Sequence, residues 1–362
     1  MHCAQEEGVS FLLKRLDTFV AACFYYSGLV QLVRWWKQQS DSALVILNYH
    51  RADEGDLRRH LLYLRRHYRV LHLEEALEEL YTPYTRKHPQ SDRRTPLVLT
   101  FDDGYYDNYT CGFTLAQELR LPLTIFLIPG YIENGHRFWW EEGKYLADQT
   151  RVETVTLEGH TYDLHKAGER EALAHTIDAR VRHAASVAER EQFLVSVHEM
   201  LQVPMEASAE EQAALPITWQ EAQEMQASGW VSFGAHTMHH PILAYLADPA
   251  EAQREVKECR VVLEQHLGHP MRTFAYPVGQ LEHIGAYGLQ AAQEAGYAWA
   301  VTTTYGFNTA NTNPYLLRRL EVDVDQHWLA VAAKTSGVWG FFSHLLWMPV
   351  TFMRKHLGKN AS

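Results

Sequence analysis

The sequence predicts an α/β fold, either a parallel barrel or a doubly wound sheet, with strands and helices alternating along the chain. Short apolar runs bounded by turn residues recur at regular intervals. Segments with apolar residues at helical spacing fill most of the gaps between them. The regular alternation favours parallel pairing through helical crossovers.

Each element follows in order. The run LVIL at 44–47 reads as a buried strand. Residues 57–67 have helical spacing, and 74–80 form a second helix whose glutamates at the start suit the helix dipole. LVLTF at 97–101 is the next strand, and 107–119 a helix. Another strand covers 123–128, bounded by Pro122 and by Pro129-Gly130. VSFGA at 231–235 is a strand, 249–267 a helix, 273–276 a strand, 285–294 a helix and 298–303 a strand. From about 141 to 214 the rhythm breaks. That stretch is polar and rich in Ala, Glu and His, with helical periodicity after Lys166. It reads as a helical insertion between two strands, placed to cap the active face.

The chain has 362 residues, 46% hydrophobic and 21% charged, which excludes disorder as its main state. With 33 Lys and Arg against 44 Asp and Glu, the formal charge is −11, and no nucleic-acid partner is expected. The four cysteines (Cys3, Cys23, Cys111, Cys259) form no CxxC pair, so neither a disulfide framework nor a structural zinc site is expected. Free thiols fit a reducing compartment. Histidine is over-used, at 21 residues, which directs attention to metal chemistry.

The termini stand apart. Residues 1–42 form an N-terminal amphipathic segment without a basic n-region or small-residue cleavage site, so no secretory signal is expected. Its uncharged stretch 18–33 is shorter than a bilayer span needs and is flanked by Lys14, Arg15, Arg34, Lys37 and Trp35-Trp36. Residues 336–362 form a second hydrophobic and basic segment. Two readings stay open: helices packed on the body of the domain, or peripheral contact with a membrane interface.

Three motifs carry chemistry. Thr100-Phe101-Asp102-Asp103-Gly104 closes an apolar strand. Adjacent carboxylates repel unless a cation sits between them. On extended backbone they point apart, so one can hold a metal while the other accepts a proton; a plain Asp N-cap is the alternative. His236-Thr237-Met238-His239-His240-Pro241 follows another strand. His236 and His240 are i and i+4 and share a face if the turn is helical. Two imidazoles and a carboxylate leave coordination positions open, as in a catalytic divalent site. The third motif, RTFAYPVG at 272–279, runs a strand into a turn whose Val278 and Gly279 N–H groups can donate to an oxyanion.

TFDDG, HTMHH and FAYPVG in this order resemble the polysaccharide deacetylases with the NodB homology domain, carbohydrate esterase family 4, over residues 43–324. The LNYH at 47–50 is similar to the first strand of the subgroup that deacetylates biofilm poly-N-acetylglucosamine. The resemblance implies a distorted (β/α)7 barrel over 43–335, with the helical insertion inside it. It also implies hydrolysis of an N-acetyl group from a sugar, releasing acetate and an amine. By that match Asp103, His236 and His240 bind the metal and Asp102 is the general base. Tyr276, Pro277 and Val278 line the oxyanion side. The metal is expected to be Zn²⁺, with Co²⁺, Ni²⁺ or Fe²⁺ also compatible with such ligands.

Two positions depart from the family pattern. Many members carry an Arg two residues before this Pro, orienting the catalytic Asp; Ala275 stands here, and Arg319 is either its substitute or a surface ion pair. The late Leu-x-His that supplies the general acid is LEVD at 320–323. His50 is the candidate acid, with a structural role as the alternative, and His327 is a weaker backup. Phe138-Trp139-Trp140 suits sugar stacking, a lid or core packing, and Trp219 suits packing at a helix start. The expected partner is an N-acetylated saccharide, or a lipid-linked one at the inner face of the cytoplasmic membrane. The alternatives are a non-sugar amide substrate and a degenerate glycan binder without turnover.

Overall fold

The computed structural model describes residues 15–39, 43–53, 55–82, 92–205 and 209–339. Most of the C-terminal segment expected at 336–362, and residues 1–14, lie outside them. Helices α1 (Arg15–Tyr26) and α2 (Leu29–Gln39) come first. Strand β1 (Val45–Tyr49) follows, then α3 (Leu57–His67), β2 (Arg69–Leu71), α4 (Leu73–Tyr81) and β3 (Pro96–Phe101). A π-helical stretch (Asn108–Phe113) and α5 (Thr114–Leu119) lead to β4 (Leu123–Leu127). Next come α6 (Pro129–Asn134), α7 (Trp139–Gln149), the hairpin β5 (Thr154–Leu157) and β6 (His160–Asp163), α8 (Ala167–Arg182) and α9 (Val187–Leu201). The chain then runs through α10 (Trp219–Ala227), β7 (Val231–Ala235), α11 (Pro249–Leu267) and β8 (Thr273–Ala275). It ends on α12 (Leu281–Glu294), β9 (Trp299–Tyr305), β10 (Leu317–Glu321) and α13 (Trp328–Ser336).

Seven strands pair in parallel in the order β1-β10-β9-β8-β7-β4-β3, and β1 also pairs with β3, which closes the barrel. β2 lies beside the N-terminal half of β3. Because both faces of each strand are covered, the strands are apolar runs rather than alternating ones. Alternation still sorts the faces. Ile46, Val98, Phe126, Val301 and Leu317 share one buried cluster, while Val45, Leu47, Leu97 and Leu99 belong to the larger core under the helices. Gly234 makes room for Phe126, whose ring carbons would lie 2.5 Å from a Cβ there.

The structure departs from the expected elements where side chains override local pattern. The helix expected over 107–119 is π-wound in its first half. Asp107 accepts from Ala52 N–H and pairs with Arg51, Asn108 donates to the His50 carbonyl, and Gly112 packs on Ala52. The wider turn keeps all these partners in reach. The helix expected from 285 begins at Leu281, with Gly285 (φ 64°) breaking it. The insertion is helical after Lys166 but also holds the β5–β6 hairpin, whose turn residues Glu158 and Gly159 both have positive φ. It has its own core, with Leu146, Leu157, Leu173, Ile177 and Leu194, which continues into Phe138, Trp139 and Tyr105.

Candidate active site

All three motifs lie just past the C-terminal ends of barrel strands, the rim where α/β barrels assemble their chemistry. Asp102 N–H donates to Tyr49 O (2.9 Å), extending the β1–β3 pairing by one residue. Asp103 and Gly104 then both take left-handed backbone, with φ of 73° and 74°. A Cβ on Gly104 would come within 2.6 Å of Leu127, so only glycine fits. This turn separates the two carboxylates.

Asp102 points into the barrel onto Arg319 of β10. The guanidinium grips both carboxylate oxygens at 2.7 Å and also donates to Asn48 Oδ1, Thr100 Oγ1 and the Thr302 carbonyl. Arg319 is only 1% exposed, so it is no surface ion pair. Burial alone would raise the Asp102 pKa; the charge of Arg319, then His236, and the Arg319 hydrogen bonds outweigh it and bring the group down to about 2.

Asp103 faces the other way, toward two imidazoles. His236 Nε2 lies 3.5 Å and His240 Nε2 3.7 Å from Asp103 Oδ1, and the three ligand atoms fall within 4.8 Å of one another. All three residues are buried. His236 Nδ1 lies 2.7 Å from the Ala275 carbonyl, an acceptor, so Nδ1 carries a proton and Nε2 is the nitrogen that faces Asp103. Among the described residues, Asp103 Oδ1 is buried with no hydrogen-bond partner. A buried, unpaired carboxylate oxygen facing two imidazole nitrogens is a donor set suited to a divalent metal, which these residues could hold. Burial opposes protonation of His236, but Asp103, Asp102 and the Ala275 carbonyl prevail and raise its pKa. Burial, then His236, Arg190 and His50, hold His240 neutral, with its pKa far below the ordinary value.

The turn that joins the two histidines is not helical. Thr237 and His240 have φ of 65° and 55°, and His240 N–H donates to Thr237 Oγ1 (2.9 Å). Among the described residues, four of the seven non-glycine residues with positive φ (Asp103, Thr237, His240, Val278) belong to the three motif loops. Such strain persists only where surroundings enforce it. Here Glu255 of α11 accepts from His239 N–H (2.8 Å) and binds its Nδ1 (2.7 Å). Arg190 Nη2, on α9 of the insertion, donates to His239 O (2.8 Å), and Trp139 Nε1, at the start of α7, donates to His240 O (3.0 Å).

Val278 (φ 59°) sits at the centre of a tight turn in which Gly279 N–H donates to Pro277 O, so Gly279 is not available as the oxyanion donor expected from the motif. Val278 N–H has no acceptor among the described residues. Tyr276, expected on the oxyanion side, has its ring in the core against Phe274 and its hydroxyl donating to Tyr315 O. Pro277 is buried and shapes the turn.

His50 is exposed, one residue past β1, close enough to act electrostatically on Asp102 and His240. It lines a groove of about 970 Å³ with Arg51, Tyr305, Glu321 and residues 322–327, and α1 supplies Asp17 and Thr18. The groove opens beside His50 rather than over the three clustered residues. His327 lines it too, but its Nδ1 caps α13 by accepting from Leu329 N–H. Phe138 and Trp139 are buried, whereas Trp140 is half-exposed, with its ring 4.4 Å from that of His240. Trp219 starts α10 and stacks on His266.

The sequence reading did not single out Tyr105, Arg190, Glu255 or Asn48. Tyr105 accepts from Trp140 Nε1 and donates to Glu141, joining the insertion to the residue after the Asp-Asp-Gly turn. Its adjacency to that motif was the one available signal.

Fold and site together define an α/β barrel with a mixed His/Asp cluster on its C-terminal rim. The polysaccharide deacetylase family model matches residues 90–191 and 198–300, and the chain belongs to that family, a family of hydrolases. The Bacillus subtilis (strain 168) protein YxkH, which carries the same family description, is 29% identical over 134 residues. That match covers 36% of this chain and 46% of the relative, so the chain spans about half the length of the curated relative it matches. Among solved structures, the Streptococcus pyogenes deacetylase PplD in complex with acetate shares the fold at TM-score 0.52 and 19% identity, covering 81% of this chain and 98% of that one. The Aggregatibacter actinomycetemcomitans de-N-acetylase does so at TM-score 0.51 and 13% identity, covering 80% and 98%.

Proposed function

We propose that the chain is a metal-dependent hydrolase that removes N-acetyl groups from an N-acetylated sugar of a polysaccharide or lipid-linked saccharide. The observation that carries this reading is the convergence of Asp103 Oδ1 and the two Nε2 atoms within 4.8 Å, beside a separate carboxylate on Arg319. Asp103, His236 and His240 would hold the cation, with Zn²⁺ the first candidate. Bound there, a divalent cation polarises the acetyl carbonyl and lowers the pKa of a water.

The chain's own groups do the rest. Asp102 accepts the water's proton as the water oxygen adds to the acetyl carbon. Arg319 fixes that carboxylate and keeps it ionised. The Val278 N–H donates to the oxyanion that develops on the acetyl oxygen. When the C–N bond breaks, the amine nitrogen needs a proton, and His50 stands at the groove edge to deliver it. The products are acetate and a free amino sugar. Arg319 also supports turnover over a purely binding role, because it supplies the positive charge that Ala275 does not.

The test is elemental analysis together with acetate release from N-acetylglucosamine oligomers. The expected result is about one divalent metal per chain in the wild type and in Asp102→Asn, and none in Asp103→Ala. Acetate release should be lost in both variants. Metal retained by Asp103→Ala overturns the site. Turnover of small amides without acetate release from the oligomers overturns the sugar substrate.

A further inference from the structure

Helices α1 and α2 are apolar on both faces. Their inner face docks on the barrel: Ala21 and Val30 are fully buried, Phe24 packs edge-on against Trp339, and Tyr25 packs against Trp328 and Tyr63. That accounts for the association with the domain. It leaves an outward stripe unexplained.

On α1 the exposed positions are Arg15, Leu16, Phe19, Cys23 and Tyr26, and the last four are spaced as one helical face. On α2 they are Leu32, Trp35 and Trp36. The six large apolar residues among them are between 56% and 76% exposed. Elsewhere among the described residues, large exposed apolar side chains are scattered singly, as on any soluble surface. Exposed apolar stripes on two adjoining helices mark an interaction site.

Charge selects the partner. Asp17 is the one acid in residues 15–39, and it turns toward the groove and Lys334. Beside α2 the surface is cationic although the chain as a whole carries −11. Arg34 donates to Tyr63 on α3, Arg65 and Arg66 are exposed at the end of α3, and Arg94 donates to the Arg65 carbonyl. Burial and then Arg34, Arg66 and Arg94 push the pKa of the His67 imidazole among them down to about 4. The acids nearby are engaged: Asp56 with Arg59, Glu118 with Arg58, Asp92 with Arg94. Lys37, expected to flank the segment, lies over the Phe307 ring and faces inward. Tryptophan and tyrosine beside cations match the headgroup region of an anionic bilayer. Among the described residues no single helix is long and apolar enough to cross a membrane, and α1 and α2 meet at a 70° bend.

We propose that α1–α2 docks the protein on an anionic bilayer, with Leu16, Phe19, Tyr26, Leu32, Trp35 and Trp36 entering the headgroup layer. Asp17 and Thr18 on α1 also line the groove beside His50, so docking brings that groove to the lipid surface. The link to a lipid-borne saccharide rests on the deacetylase reading; docking does not.

The test uses the full-length protein and vesicles. Co-sedimentation with vesicles of equal parts phosphatidylglycerol and phosphatidylethanolamine is expected, with at least about tenfold weaker binding to phosphatidylcholine alone. Phe19→Ser/Trp35→Ser/Trp36→Ser should lose binding by about tenfold or more while keeping acetate release from soluble oligomers. Lipids with brominated acyl chains should quench wild-type fluorescence more than that of Trp35→Phe/Trp36→Phe. No sedimentation, equal binding by the serine variant, or equal quenching overturns the proposal. So does a wild-type dimer that the serine variant converts to monomer, which would assign the stripe to a second copy. Failure here with acetate release intact leaves the deacetylase reading standing.

Discussion

Two carboxylates stand side by side after β3, and their surroundings give them different work. Asp102 is buried, yet its pKa is near 2 instead of the ordinary 3.8. A group depressed in the folded state stabilises the fold above its unfolded pKa and loses that contribution as pH falls through its folded pKa. Ionised Asp102, held mainly by Arg319 and then by His236, therefore supports the fold at neutral pH by roughly 2–3 kcal/mol relative to its protonated form, and that support drains away between about pH 4 and pH 2. Arg319→Leu should cost roughly 3–5 kcal/mol at pH 7, because it strands a buried carboxylate. The gap to wild type should narrow on acidification, as protonation relieves the stranded charge. The acid limb of the rate profile should move to higher pH, with Arg319→Lys recovering part of the loss. Denaturant unfolding at several pH values and a pH–rate profile check this; an unshifted acid limb would show that Arg319 does not govern Asp102. The pair was half-legible in the sequence. Arg319 was visible as a charge near the end of the barrel, but its burial depends on β10 lying beside β1, a long-range fact that local pattern does not carry.

At the scale of elements, the histidine loop brings His236 and His240 together by a route that their spacing does not describe. The i,i+4 spacing places both on one face only if the turn is helical, whereas the loop is left-handed at Thr237 and His240. What holds it is tertiary: Glu255 from α11, Arg190 from α9 and Trp139 from α7. None of these lies near the motif in sequence, so none could be read from it. The strands, by contrast, were legible because barrel strands are short apolar runs with turn residues after them. The π-wound start before α5 and the β5–β6 hairpin were not, since both depend on partners or turn geometry rather than periodicity. Arg190 is 3% exposed, and removing it leaves the His239 carbonyl without its donor. Arg190→Ala should weaken metal binding by up to about tenfold, less than removal of a group bonded to a ligand itself, because Arg190 acts through the neighbouring His239 carbonyl. Arg190→Lys should recover part of it. Competition with a chromogenic chelator measures this independently of turnover, and unchanged affinity in Arg190→Ala would reduce the contact to packing.

Across the whole molecule, the barrel and the insertion carry separate cores that meet around the site. Several of the contacts that join them lie there: Arg190 and Trp139 on the histidine loop, Trp140 on Tyr105, Tyr105 on Glu141. A cation bound by Asp103, His236 and His240 would tie two barrel loops together and, through the loop carbonyls, fix the insertion against the barrel. Binding to the folded state alone stabilises it, by about 2.7 kcal/mol at a hundredfold excess over Kd. That gain should not be uniform, because local opening draws on the least stable parts. Removing metal with a chelator should therefore speed amide hydrogen exchange in 236–240, α7 and α9, and leave β1, β3 and β9 nearly unchanged. Glu255 anchors the loop from the barrel side, so the loop's carbonyls should loosen toward the insertion first. Exchange followed by mass spectrometry separates the outcomes. A uniform change would mean that metal acts on global stability only, and a change confined to 236–240 would mean that the insertion does not sense the ion.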